Sequence, residues 1–182
     1  MELWNLDSVV GRQGKEGKPL SNFHQGTITV NERTYASGEA AFHGEKFFLS
    51  ASDSSLSAED RGALLAHAEQ FLSCSDPMKA KRMGGKGKDG HRLKLSQLAM
   101  WDGGGADEIQ LLICQAKLDT DPSVAQALDG SGSRPLLHQD NRAKPDTPWG
   151  GRIDKDTGGC IGLNKLGQIW MRLRDSRAEA RA

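Results

Sequence analysis

Ser37-Gly-Glu-Ala-Ala-Phe-His-Gly-Glu-Lys46 is the stretch from which the rest of the chain can be read. Ser37 suits a helix N-cap, because its hydroxyl accepts from a free amide of the first turn. Glu39 then falls in that first turn, where the helix dipole favours an anion. A helix over 38–49 sets Glu39 and Lys46 two turns apart on one face, with His43 between them and Phe42 beside the stripe. An acid, an imidazole and an amine in one column is an unusual inward face. The ordinary alternatives are a solvated set of charges, or an ion pair of small value to stability.

On its N-terminal side, Gly26-Thr-Ile-Thr-Val30 alternates with a period of two. With a turn at Asn31-Glu32 and a second run from Arg33 to Tyr35, it predicts a hairpin. Further back, Met1 to Leu6 reads as a short strand and Gly11 to Pro19 as a glycine- and lysine-rich loop. On the C-terminal side, Ser57-Ala-Glu-Asp60 resembles a capping box and opens a helix running through Leu64, Leu65, Ala68, Phe71 and Leu72. Asp76-Pro77 starts another, with Gly84-Gly85 as its stop. His91 to Trp101 reads as helical, Asp102 to Gly105 as a break, and Asp107 to Lys117 as a strongly apolar helix through Ile109, Leu112, Ile113 and Ala116. Asp121-Pro122 repeats the cap-plus-proline signal for a helix that stops at Asp129-Gly130. Pro135 to Leu137 predicts a short strand, and Asn141 to Ile153 a loop. A last helix opens near Gly162-Leu-Asn164, with Leu166, Ile169, Trp170 and Leu173 inward. Arg172, Arg174 and Arg177 suit its C-terminal end. The expectation is an α+β protein, predominantly helical, with a few short strands in a single domain spanning 1–182.

Composition bounds the function. The 24 basic and 24 acidic side chains cancel, so net charge makes no case for bulk nucleic-acid binding. No apolar run has the length of a membrane span, and the N-terminus lacks a signal-peptide pattern. Cys74, Cys114 and Cys160 are odd in number and far apart, as expected of reduced thiols in a cytoplasmic or nuclear protein. The segment from Lys79 to Lys94 holds seven Lys or Arg against one Asp, with four glycines, a composition suited to a phosphate or to a solvated loop. It lacks P-loop spacing, and Gly85-Lys-Gly-Lys-Asp-Gly90 follows a helix where a dinucleotide fingerprint needs a strand. His24, His43, His67, His91 and His138 show no paired-ligand spacing, so no metal and no cofactor are expected. No GxSxG elbow occurs. Trp101, Trp149 and Trp170 fit a core, Trp149 less so, since it lies in a proline-glycine loop where binding residues gather.

Taken in order, these stretches resemble the NADAR family, the NAD- and ADP-ribose-associated domains, over residues 20 to 174. The motifs are Leu20-Ser-Asn-Phe23, then Ser37-Gly-Glu39 through Lys46-Phe47, then Ala80-Lys-Arg-Met-Gly84. Trp101 precedes the central apolar helix, Asp146-Thr-Pro-Trp149-Gly150 follows, and Gly162-Leu-Asn164-Lys-Leu-Gly167 leads into the arginine-bearing helix. Four positions depart from the family pattern: Ala40 replaces a His, His43 a Gln, Gly85 a frequent Arg, and His138 an acidic residue. They bear on substrate choice.

The resemblance implies cleavage of a bond between ribose and an exocyclic base amine. Two substrate types belong to the family: ADP-ribose on the amino group of guanine, and ribosylamino-pyrimidine intermediates of riboflavin biosynthesis. It implies Lys46 as nucleophile and Glu39 as the group that moves protons. The lysine must then spend time neutral, against a reference pKa near about 10.4. A rival mechanism has Glu39 activate water while Lys46 only binds. Asn22, Phe23, His43, Trp101 and Gly150 would line the substrate, Trp149 stack on a flat ring, Asp146 meet ribose hydroxyls, and Arg82 and Asn164 meet phosphate. The expected partner is an ADP-ribose-containing substrate, with ADP-ribosylated DNA or RNA as a candidate, and no obligate protein partner. A non-catalytic ADP-ribose or NAD sensor is the alternative from another class.

Overall fold

Asn31 and Glu32 sit at φ of 49° and 64°, the mirror-image turn whose twist matches the strands it joins. They connect β2 to β3 in the series that begins with β1 (Trp4–Asn5), a 3-10 turn (Lys18–Leu20), β2 (Gln25–Val30) and β3 (Arg33–Ser37). The helices follow: α1 (Gly38–Ala51), α2 (Ala58–Glu69), α3 (Pro77–Gly84), α4 (Leu95–Met100), a π-helical turn (Trp101–Gly105), α5 (Ala106–Thr120) and α6 (Pro122–Gly130). The chain closes with β4 (Leu136–Leu137), β5 (Arg152–Ile153), β6 (Cys160–Ile161) and α7 (Lys165–Glu179). This is the α+β, mostly helical fold expected. The computed structural model describes residues 4–5, 18–85, 90 and 92–181. The expected loop at 11–17, the rest of the first strand, and residues 86–89 and 91 of the basic segment lie outside that set.

The chain forms two compact units, Asn22–Thr120 and Met1–Ser21 with Asp121–Ala182. In the first, α1 packs against α2, α3, α5 and β3. Its core holds Ile28, Val30, Tyr35, Phe47, Phe71 and Ile113. In the second, β1 pairs in parallel with β4, α7 packs on β4, and Trp170 is fully buried with its indole N–H donating to the carbonyl of Leu20 at 2.9 Å.

The cap signals act as read. Ser57 accepts from the amide of Asp60 at 3.0 Å, Asp76 from Met78 at 2.9 Å, and Asp121 from Ser123 at 2.8 Å. The details of the helices differ from the letters in places. The helix expected from His91 starts at Leu95, because the amide of Lys94 is already taken by the side chain of Gln97 at 2.7 Å. The break expected at the triple glycine is present as a kink: Gly104, at φ 133°, leaves helical backbone inside the π-helical turn between α4 and α5. Leu112 is exposed, while Gln110, Cys114 and Lys117 turn inward with Ile109 and Ile113. The second helix ends at Glu69, so Phe71 reaches the core from a turn and Leu72 is exposed.

One buried charge fixes how α1 is rolled. Glu45 is 2% exposed and accepts four hydrogen bonds, all from the hairpin: Asn31 at 2.8 Å, Arg33 at 2.8 and 2.9 Å, and Tyr35 at 2.6 Å. A buried carboxylate is tolerable only when so fully met, and removing one partner of such a set typically costs about 3–5 kcal/mol. Burial, then the hydrogen bond to Glu45, raises the pKa of the Tyr35 phenol. That contribution is complete below an ordinary tyrosine pKa of about 10 and is lost as pH rises beyond it, because the unfolded chain ionises first. Tyr35 is the sole tyrosine, so phenolate absorbance reports it directly. Phenolate should appear only together with loss of the helical circular dichroism, and a normal titration with native dichroism would contradict this.

Among the described residues no helix is long and apolar enough to cross a membrane. All three cysteines are free. Cys114 is fully buried and its thiol is pushed up to about 12 by that burial, whereas Cys160 is exposed. Alkylation of the native protein near neutral pH should therefore modify Cys160 and spare Cys114, read by peptide mass spectrometry.

Candidate active site

The first amides of a helix need acceptors from outside it. At α1 the hydroxyl of Ser37 takes the amide of Ala40 at 3.2 Å, and the carbonyl of Asn22 takes that of Glu39 at 2.9 Å. Asn22 is itself fixed by a reciprocal amide pair with Gln110 of α5, at 2.8 and 3.1 Å. Asn22 was expected at a ribose or base; its buried side chain is engaged in fastening the start of α1 to α5.

Glu39 is 8% exposed, and its Oε1 lies 3.3 Å from Nε2 of His43, one turn on. The imidazole stands edge-on to Phe42, with ring centres 5.5 Å apart, and tilted against Phe71 at 6.3 Å. Its Nδ1 is buried with no hydrogen-bond partner. Another turn on, partly buried Lys46 donates from Nζ to the carbonyl of Gly84, with Nζ 4.7 Å from the centre of the Phe47 ring.

Gly84 ends α3, and its identity follows from this contact. A Cβ there would lie 2.1 Å from the imidazole of His43. The last carbonyls of α3 have no acceptor role inside the helix and form the negative end of its dipole. Lys46 meets one, and Nε2 of His67 faces another, that of Met83, at 3.2 Å. A carbonyl accepts from an ammonium or from a neutral amine alike, so this partner does not compel the charge as a carboxylate would. The column therefore offers an enclosed carboxyl and an amine held by a neutral group.

The other residues expected in this unit are placed differently. Phe23 is partly exposed, with Nζ of Lys81 5.3 Å above its ring, and Arg82 is exposed on α3. Trp101 is only 7% exposed and sits in the core, edge-on to Phe42 at 4.8 Å, so its indole forms no open platform. Reading residues alone missed Gln110 and His67, whose roles depend on partners distant in sequence. It named Gly84 only as a helix stop.

In the other unit, Asn164 is at φ 48° and its amide bridges the end of β4, accepting from His138 at 3.0 Å and donating to Leu136 at 2.8 Å. The anion site expected at the start of α7 is corrected by the backbone. The amides of Asn164, Lys165 and Leu166 already meet the carbonyls of Gly150, Pro148 and Trp149 at 3.2, 3.0 and 3.3 Å. Trp149 is partly buried with Nζ of Lys165 5.7 Å from its ring centre, Asp146 is exposed, and Gly150 is buried. A cleft of about 840 Å³ in this unit is lined by Gln139, Asn141, Arg152 and Asp154 among others, and one of about 430 Å³ in the first unit by Arg33, Glu45, Phe48, Arg61 and Ile109 among others. Neither is lined by Glu39 or Lys46. Among the described residues no group of three or more His, Cys, Asp or Glu could hold a metal ion.

The sequence matches no family model, and no curated protein matches it by sequence. In structure the chain is similar to the Escherichia coli protein YbiA, solved by NMR, with a TM-score of 0.62 and 23% sequence identity over 98% of this chain and 86% of that one. At that identity the likeness is one of fold.

Two glycines separate contact from composition. Gly84→Ala should lower thermal stability by roughly 1–3 kcal/mol, as overpacking does, because the ring of His43 cannot retreat without moving the column. Gly62→Ala, in the middle of α2 with nothing within 4 Å of its added methyl, should raise it by roughly 0.5–1 kcal/mol. Equal shifts of the two melting temperatures would overturn the packing argument.

Proposed function

We propose that the chain is an N-glycosidase of the NADAR type, which frees ADP-ribose from the exocyclic amine of guanine in a nucleic acid. What supports this is the Glu39–His43–Lys46 column: a carboxyl, an imidazole and an amine on successive turns, enclosed by α1 and α3, in a chain whose ordered motifs resemble that family and whose fold is like that of YbiA. The three exposed cations of α3, Lys79, Lys81 and Arg82, lie on the helix whose end holds Lys46, and they favour a substrate bearing several phosphate charges over a singly phosphorylated intermediate.

The reaction follows from the bond. The lone pair of the exocyclic nitrogen expels the ring oxygen from the anomeric carbon, and Glu39 gives that oxygen a proton. The neutral amine of Lys46 adds to the imine so formed. Proton transfer lets the base depart with its amino group intact and leaves the sugar joined to Lys46 as an imine. Water, deprotonated by Glu39, adds to that carbon and returns the lysine as a free amine. Each step splits one difficult displacement into easier additions and eliminations.

Borohydride added during turnover of an ADP-ribosylated oligonucleotide should give a sugar–protein adduct at Lys46, read by mass spectrometry, and none in Lys46→Ala. Turnover with no adduct would assign water activation to Glu39 instead. Faster turnover of a ribosylamino-pyrimidine would move the substrate to riboflavin intermediates, and binding of ADP-ribose with no base released from either would make the protein a sensor.

A further inference from the structure

On the face of α1 away from Glu39, His43 and Lys46, the helix borders the cleft of about 430 Å³, a volume within the roughly 300–1,000 Å³ usual for small-molecule sites. Its walls are apolar. Phe48 and Leu49 of α1 and Leu65 of α2 are half-buried along it, and Ile109 of α5 is buried. Two guanidinium groups share this lining. That of Arg33 lies over the Phe48 ring, 4.1 Å from its centre, and gives Nε and Nη2 to Glu45, which leaves Nη1 uncommitted. That of Arg61 donates from Nη1 to the carbonyl of Ala51 at 2.9 Å and from Nη2 to that of Asp53 at 3.3 Å, which leaves Nε. The charges do not cancel. Glu45 is the only acid among the described lining residues, and Arg33 matches it. The nearby carboxylate of Asp53 is taken by Ser55 and Ser96, and that of Asp60 pairs with Lys94. Carbonyls hold Arg61 in place without neutralising it. The cleft therefore keeps one positive charge, on a side chain already ordered, beside an apolar wall.

We infer that this cleft is a binding site for a small amphiphilic monocarboxylate, an apolar chain or ring that ends in one carboxylate. The apolar body rests on Phe48, Leu49, Leu65 and Ile109, and the carboxylate meets the guanidinium of Arg61, with Nη1 of Arg33 as a second donor. One negative charge balances the cleft. The second charge of a phosphate monoester would be left facing Glu45, and an alcohol would leave Arg61 unmatched. The inference is independent of the function proposed above, since neither Glu39 nor Lys46 lines the cleft.

Proton–nitrogen-15 NMR titration of the whole chain tests this with three probes: octanoate, 3-phenylpropanoate and the uncharged 3-phenyl-1-propanol. At least one carboxylate should move the amides of Phe48, Leu49, Arg61, Leu65 and Ile109 in a saturable way and leave those of Glu39 and His43 in place. Octanoate as the tighter of the two would make the natural ligand a chain, and 3-phenylpropanoate a ring. The alcohol should bind about 10-fold more weakly than its carboxylate, the scale of one charge-assisted hydrogen bond. Arg61→Gln should bring 3-phenylpropanoate down to the level of the alcohol and leave the alcohol unchanged, and Leu65→Trp, which fills the cleft, should weaken both. No saturable shift from either carboxylate overturns the inference, as does an alcohol that binds equally well, which would make the cleft an apolar groove without charge recognition. Shifts confined to Glu39 and His43 also overturn it, by placing the carboxylate at the candidate active site. The comparison of carboxylate with alcohol needs only the natural sequence, so it decides the matter even if a variant does not fold.

Discussion

The carboxylate of Glu45 carries the constraint on which the first unit depends. A charge only 2% exposed has to be met on every side, and the three residues that meet it, Asn31, Arg33 and Tyr35, come from one hairpin. The hairpin therefore cannot slide along α1, nor can α1 turn about its axis, without exposing an unpaired charge to an apolar core. Glu39 and Lys46 flank Glu45 in sequence yet project elsewhere on the helix. Their direction is set by a neighbour with no part in the proposed chemistry.

Local signals in this chain were legible where one short segment decides the outcome. Ser37, Ser57, Asp76-Pro77 and Asp121-Pro122 each cap a helix from within a few residues, and Asn31-Glu32 makes its turn by itself. What could not be read is what depends on the far side of a contact. Leu112 and Lys117 have helical neighbours of both kinds, and only the packing of α5 sends the leucine out and the lysine in. Asp102 to Gly105 reads as a break because glycine weakens a helix, and Gly104 at positive φ does kink the chain there; what the letters did not show is that a π-helical turn spans the kink.

The candidate site divides along the same line. Its column of Glu39, His43 and Lys46 follows from helical periodicity, and the two-turn spacing is visible in the letters alone. The neighbours that give the column its character are not. That the lysine rests on a backbone carbonyl, that Gly84 is small because a ring lies on it, and that Asn22 and Asn164 are fasteners are facts about tertiary partners. Two asparagines in ordered motifs look alike in sequence whether they touch a ligand or tie two segments of backbone together.

The order in which the chain is made gives its two units different histories. Asn22–Thr120 is one uninterrupted segment, and its hairpin, α1 and α2 are close neighbours in sequence. It can begin to condense as soon as it leaves the ribosome. The other unit is built from both sides of that segment. β1 finds its partner strand only when Leu136 and Leu137 arrive, and the carbonyl of Leu20 waits for the indole of Trp170. Closing so long a loop is favoured once the intervening chain has already collapsed, since the effective loop is then shorter. Early condensation of the middle segment would make the late assembly of its flanks affordable.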